Sequence, residues 1–319
     1  MYKYFIIGLM FLCCCQHKSS SVPVVGFVDA FQDNTIEQAK TGFVDALKKN
    51  GYDEGNGSVK IIYRNAQGNI PVLTQIINYF VGEKVSLIAA NASLSTITAI
   101  QKTKTIPIFM MVSPTPSLMK VLDDKGASPA NLFGVGDNLD YIDTSFLLIP
   151  KIIKPKSNKL IVGMIFNQSE PQSVEAITRI KNLANMNNIN IISLPVNSSS
   201  EVQLVTSALL DKNIDAFFAN PDNVVFSSFE SIDKLCRKAK VPIFTSEAGL
   251  VSRGALVAFG ADIYQWGYQA GEQAAIYLKS RSDTNLKWEM VKIRKRVFNP
   301  AVAKYYDLAI PSNFEPIPN

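Results

Sequence analysis

Histidine is nearly missing from this chain: 319 residues contain one, His17. Ser–His–Asp and Cys–His catalysis, imidazole acid–base chemistry and histidine-held metals are therefore excluded beyond that position. Cysteine is scarce too. Three of the four stand together as Cys13, Cys14 and Cys15, which leaves Cys236 without a disulfide partner in the body. It follows Ile232 and Leu235 on a helical pattern and is expected to be a small buried hydrophobe. Charged residues make up only 18% of the chain, with a net charge of +5. No long face interleaves basic and aromatic residues, so a nucleic-acid surface is not expected. Lys287, Lys292, Arg294, Lys295 and Arg296 crowd one late strand, which reads as a solvated sheet edge. No phosphate-cradling loop ends in Gly-Lys-Ser/Thr, and no cysteine or carboxylate cluster has metal-ligand spacing. Gly134-Val135-Gly136 lacks the third glycine of a dinucleotide turn and reads as a tight loop between lobes. Neither an enzyme, a cofactor nor a metal is expected.

What is present is apolar residue, 47% of the chain, enough for large packed cores. Length alone suggests about two domains. The leader has one lysine, Lys3, before roughly a dozen apolar residues from Tyr4 to Cys15. That run is too short for a bilayer core of ~30 Å but suits the hydrophobic part of an export signal. Leu12-Cys13-Cys14-Cys15 resembles a bacterial lipoprotein signal, with Cys15 as the lipidated residue and Cys14 as the alternative. An uncleaved membrane-proximal anchor is the other reading. Either one exports the protein and holds it at a membrane surface, through a polar tether that ends at Ser21.

The body alternates strand and helix. Strands are expected at 24–28, 59–63, 85–90, 107–112 and 132–135, with helices near 34–50, 70–81 and from Ser93 as cap to about 102. The same order returns roughly 130 residues later, and Ile106-Pro107-Ile108-Phe109 is echoed by Val241-Pro242-Ile243-Phe244. In that second half one helix is expected over 223–239. The fold class is thus α/β, with two Rossmann-like lobes joined by a multi-strand hinge. The expected division is 1–21 signal and tether, 22–136 plus about 262–282 as the N-terminal lobe, and about 137–261 plus 283–319 as the C-terminal lobe. Ligands collect beyond the carboxyl ends of parallel strands, so a cleft between the lobes is the expected site.

Five strings resemble the tryptophan/tyrosine-type substrate-binding proteins of ABC transporters, which have the type I periplasmic-binding fold. They are Asn65-Ala66-Gln67-Gly68, Phe166-Asn167-Gln168-Ser169-Glu170, Val196-Asn197-Ser198-Ser199-Ser200, Asn220-Pro221-Asp222-Asn223, and Ser246-Glu247 through to Gly260-Ala261-Asp262. The resemblance implies capture of a small solute, an amino acid or related compound, by hinge closure. It also implies delivery to a cognate ABC permease with its ATPase, by a monomer lipid-anchored at the cell envelope. An exported ligand sensor with a signalling membrane partner is the alternative. Departures from the family pattern at Asp29, Asp33, Asn34, Ser93 and Ser113 fall in loops expected to face the cleft.

A zwitterion needs donors for its carboxylate and an anion for its ammonium. Ser93, at a helix N-terminus, is the expected carboxylate holder, with Ser113 assisting. Asp222 is the first choice to receive the ammonium and Glu247 the second. On that reading Asp222→Ala weakens solute binding and leaves the melting temperature of the empty protein unchanged. Asn91, Asn167, Glu170 and Asn223 are further polar contacts, Asp29 adds negative charge, and Phe31 is placed to stack on a flat solute. Phe109 is a weaker stacking choice, because strand aromatics usually belong to cores.

Overall fold

A computed structural model describes residues 22–280 and 286–317. The expected leader, lipidated Cys15 included, lies outside the described residues. The first half runs β1 (Val24–Asp29), α1 (Asn34–Lys49), β2 (Lys60–Asn65), α2 (Ile70–Gly82), β3 (Leu87–Asn91), α3 (Ser93–Lys102), β4 (Ile108–Pro114) and β5 (Leu132–Asp137). The chain then crosses to α4 (Asp140–Phe146), α5 (Ile149–Ile152), β6 (Ile161–Phe166), α6 (Pro171–Met186), β7 (Asn190–Pro195), α7 (Val202–Leu210) and β8 (Ala216–Ala219). Next come α8 (Asn223–Ser227), α9 (Phe229–Lys238), β9 (Ile243–Thr245), α10 (Ala248–Ser252) and β10 (Val257–Ala261). The last elements are α11 (Ile263–Ser280), β11 (Glu289–Met290), β12 (Arg294–Phe298), α12 (Pro300–Tyr306) and β13 (Glu315–Pro316).

Two sheets result. One has the order β11-β5-β4-β3-β1-β2 with parallel pairings; the other, β13-β12-β10-β9-β8-β6-β7, pairs β10 with β12 antiparallel and, among the described residues, its other strands in parallel. In each, the strand order reverses beside the first strand of the half, between β1 and β3 and between β6 and β8. Such a reversal opens a crevice at the strand carboxyl ends. Strands such as β3 are buried along their whole length because helices cover both faces.

Local chemistry accounts for the helices. Asp33 caps α1 by accepting from the N–H groups of Thr35 and Ile36, and Ile36, Ala39, Phe43, Ala46 and Leu47 form its buried stripe. α1 packs on α11 at a distance only glycine allows. A Cβ on Gly42 would stand 2.0 Å from the Tyr264 carbonyl oxygen, and one on Gly267 1.9 Å from that of Ala39.

Three corrections to the sequence reading concern the links. The basic segment is two short strands in different sheets. β11 extends the first sheet beside β5, while β12 is covered by β13 and is not an edge. Arg294 and Lys295 there form ion pairs with Asp137 and Asp262. The third crossing between sheets therefore falls between Met290 and Arg294, not near 283. Gly134-Val135-Gly136 lies inside β5 and not in a loop. Gly134 has φ +92°, and a Cβ there would stand 2.2 Å from the Met110 carbonyl oxygen, next to a bulge in the β4–β5 register. The helix expected over 223–239 breaks at Ser228 into α8 and α9. Cys236 is fully buried and its thiol free. Phe109 is also fully buried, against Phe133 and Tyr277.

Candidate functional site

The carboxyl ends of both sheets face one small shared cavity. Ser93, Ser113 and Asp137 enter from the first lobe; Asp222, Asn223 and Glu247 enter from the second. The walls are largely apolar, made by Val112, Leu139, Tyr141, Phe226 and Trp266. A wider groove is lined by Phe31, Gln67 and Leu94 from the first lobe and by Asn167, Glu170 and Ser199 from the second.

Five of the ten residues expected at the ligand thus line the cavity: Ser93, Ser113, Asp222, Asn223 and Glu247. Phe31, Asn167 and Glu170 line the outer groove instead. Asp29 and Asn91 line neither. They bond to each other at 2.7 Å, and Asn91 also donates to the Ile36 carbonyl at 3.1 Å, so the pair anchors the start of α1. Burial pushes the Asp29 carboxyl up to about 6.

Asp222 is a brace. Its Oδ1 accepts the N–H groups of Val224 and Val225 as the cap of α8, and its Oδ2 accepts the Asn167 N–H and the Ser173 hydroxyl, both at 2.6 Å. Four bonds occupy the acceptor sites of a carboxylate, so no place is left for an ammonium. Glu170 is similarly enclosed, taking two N–H bonds from Asn223, one from Asn167 and one from Gln172. Burial, and after it the charge of Asp222, holds the Glu170 carboxyl well above its usual range.

Glu247 differs. Only 3% exposed, it takes one side-chain bond, from the Tyr141 hydroxyl at 3.1 Å. Burial pushes its pKa up to about 8, against the lowering effect of that bond. Its neighbour Asp137 is compensated by the Arg294 guanidinium, with both oxygens bonded at 2.6 Å, and Arg294 also lies 5.0 Å from the centre of the Tyr141 ring. Among the acids that line the cavity, Glu247 is therefore the one with acceptor sites to spare and no cation bonded to it. At the other lobe, α3 begins at Ser93 with Ala92 as cap, at φ +69° and with no side-chain capping bond. The expectation that Ser93 itself caps the helix is corrected by one residue. With an alanine in that place, no side chain claims the first N–H groups of the helix. Ser113 bonds Thr96 at 3.0 Å and the Met111 carbonyl at 3.1 Å.

Sequence reasoning missed Asp137, Tyr141, Gln172, Phe226 and Trp266. Asp137 closes strand β5, at a carboxyl end like the residues that were found; the others sit within helices, where an aromatic at helical spacing looks like core.

Two α/β sheets whose carboxyl ends meet over a shared cavity, with the chain passing three times between them among the described residues, define a two-lobed periplasmic-binding-type protein. The chain belongs to the ABC transporter substrate binding protein family, which it matches over residues 21–316. This is a solute-binding family, not an enzyme family. A tyrosine-binding protein of Clostridioides difficile is 33% identical over 287 residues, covering 89% of this chain and 81% of the relative. The ligand-free, open structure of a substrate binding protein with adhesive properties from Clostridium difficile is 27% identical with a TM-score of 0.66, covering 93% of this chain and 99% of that one. An ABC domain from Streptococcus pneumonia in complex with L-Trp shares the fold at 22% identity and a TM-score of 0.83, with the same coverage.

Proposed function

We propose that this protein is the extracytoplasmic receptor of an ABC importer and that it captures an aromatic amino acid by closing its two lobes over it. The observation that carries the reading is the cavity itself, in which aromatic and aliphatic walls surround Glu247, a buried carboxylate lacking a bonded cation. The solute ammonium pairs with Glu247, and its carboxylate meets the uncapped N-terminus of α3 near Ser93 and Ser113. Trp266, Tyr141 and Phe226 enclose the ring. The tyrosine-binding relative supports the solute class. The lobe arrangement supports closure: the chain superimposes better on the L-Trp complex than on the open, ligand-free structure, although it is less similar to the former in sequence. A solute that touches both lobes favours the closed form by its differential affinity for it. Lipidation at Cys15, a monomeric state and delivery to a permease and its ATPase complete the proposal.

Calorimetry with L-tyrosine, L-tryptophan and L-phenylalanine, with myo-inositol as control, tests it. One aromatic amino acid should bind with unit stoichiometry, and Glu247→Gln should weaken it by about tenfold or more. Silence toward all three amino acids, or a response to myo-inositol alone, rejects the reading.

A further inference from the structure

Gln172 stands in the first turn of α6 and lines the cavity. It is 7% exposed, and its amide oxygen Oε1 is buried without a hydrogen-bond partner. The other end of the amide is held firmly, with Nε2 donating to Glu170 Oε2 at 2.6 Å. That oxygen also accepts from the Asn223 backbone N–H at 3.1 Å and from Asn223 Nδ2 at 2.8 Å, while Asn167 Nδ2 donates to Glu170 Oε1 at 3.2 Å. A carboxylate that collects donors draws the amide nitrogen toward itself and turns the amide oxygen away. The fold has thus fixed a buried acceptor on a residue that lines the cavity and given it no hydrogen-bond partner, an arrangement that calls for a specific explanation.

The cavity has two polar sets with apolar walls in addition. Glu247, Tyr141, Arg294 and Asp137 are joined by hydrogen bonds and a ring contact, close to the links between the sheets. In the other set, Gln172 and Asn223 at the cavity are bonded to Glu170, which with Asn167 lines the outer groove. No hydrogen bond connects the two sets among the described residues. A solute whose ammonium is held at Glu247 has the second set left for the polar group at its other end.

We infer that Gln172 is a specificity-determining residue, whose Oε1 accepts a hydrogen bond from the far end of the solute. The preferred solute is then an aromatic amino acid with a donor on its ring system, a phenolic hydroxyl or a ring N–H. This rests on the aromatic amino-acid reading and sharpens it. A ring without a donor fills the same apolar space but seals Oε1 from water with nothing to bond it. Sites built to bond a polar group reject the analogue that lacks it far more strongly than apolar pockets reject small changes of size.

Titration calorimetry of the purified wild type and Gln172→Leu with L-tyrosine, L-tryptophan and L-phenylalanine provides the test. The wild type should prefer tyrosine or tryptophan to phenylalanine by about tenfold or more, and Gln172→Leu should shrink the preference to within about threefold while still binding phenylalanine. Should the variant fail to fold, the wild type decides alone: tyrosine must bind at least about tenfold more tightly than O-methyl-tyrosine, which cannot donate, or tryptophan must surpass N-methyl-tryptophan by a like margin. Equal affinities within these pairs, or a preference untouched in Gln172→Leu, overturn the inference and leave the aromatic reading standing. Failure of all three amino acids to bind the wild type removes that reading and this inference together.

Discussion

Glu247 and Asp222 are both buried acids after strands of the second lobe, and from sequence Asp222 is the first choice for the ammonium. Their partners separate them: Asp222 is spent on four internal bonds, whereas Glu247 has only Tyr141. The Glu247 carboxyl ordinarily titrates near 4.5 when water reaches it, and here it holds its proton up to about 8. A native value raised in this way gives a contribution to stability that is complete below about pH 4.5 and is lost as pH rises through about 8. Between about pH 6 and pH 8, therefore, the melting temperature of the empty protein should fall more steeply in wild type than in Glu247→Gln. Parallel curves would show that the carboxyl is not desolvated as described. Asp29, raised only to about 6, does its titration mostly below that window.

At the scale of elements, the short α8 owes its position to one side chain. Asp222 caps it and also ties it to the end of β6 through Asn167 and to α6 through Ser173. Removing the carboxylate strips a cap and strands a buried N–H and hydroxyl. Asp222→Ala should thus lower unfolding stability by about 3–5 kcal/mol, read from denaturant midpoints. That is the opposite of the sequence expectation of an unchanged melting temperature with a lost solute contact. The break of the predicted 223–239 helix at Ser228 belongs here as well. Apolar spacing continues through the break, so periodicity alone reads one helix where the chain turns between two.

For the whole molecule, contacts outside the cavity join the lobes. Arg253, after α10, reaches across to Asp33 at 2.6 Å and Thr35 at 2.9 Å, and on its own lobe it bonds Glu230 and the Phe226 carbonyl. Gly249 faces Thr35 so closely that a Cβ would stand 2.2 Å from the threonine methyl. Alanine at 249 suits α10 locally better than glycine, but it obstructs the two lobes from coming together. Gly249→Ala should keep or raise the melting temperature and weaken solute binding by about tenfold to a hundredfold, since overpacking costs ~1–3 kcal/mol. Adding Thr35→Ser, which deletes the methyl and keeps the hydroxyl for Arg253, should restore most of the affinity. Full affinity in the single variant would mean that binding does not require this approach.

The order of strands and helices, the doubling of the α/β unit and the scarcity of histidine were all legible in the chain, because periodicity, turn residues and composition are local properties. So was the placing of Ser93 and Glu247 just past strand ends and of Ser113 near the end of one, where parallel sheets gather ligands. Only the tertiary structure decided which acid is spent on bracing and which is left with a single partner, that Asp29 and Asn91 bond each other behind the site, and that Gln172, lining the cavity, keeps an unmet oxygen. It also assigned β11 and β12 to different sheets. Partners of this kind are separated by tens to more than a hundred residues, and a desolvated charge depends on everything that surrounds it, so no local pattern encodes them.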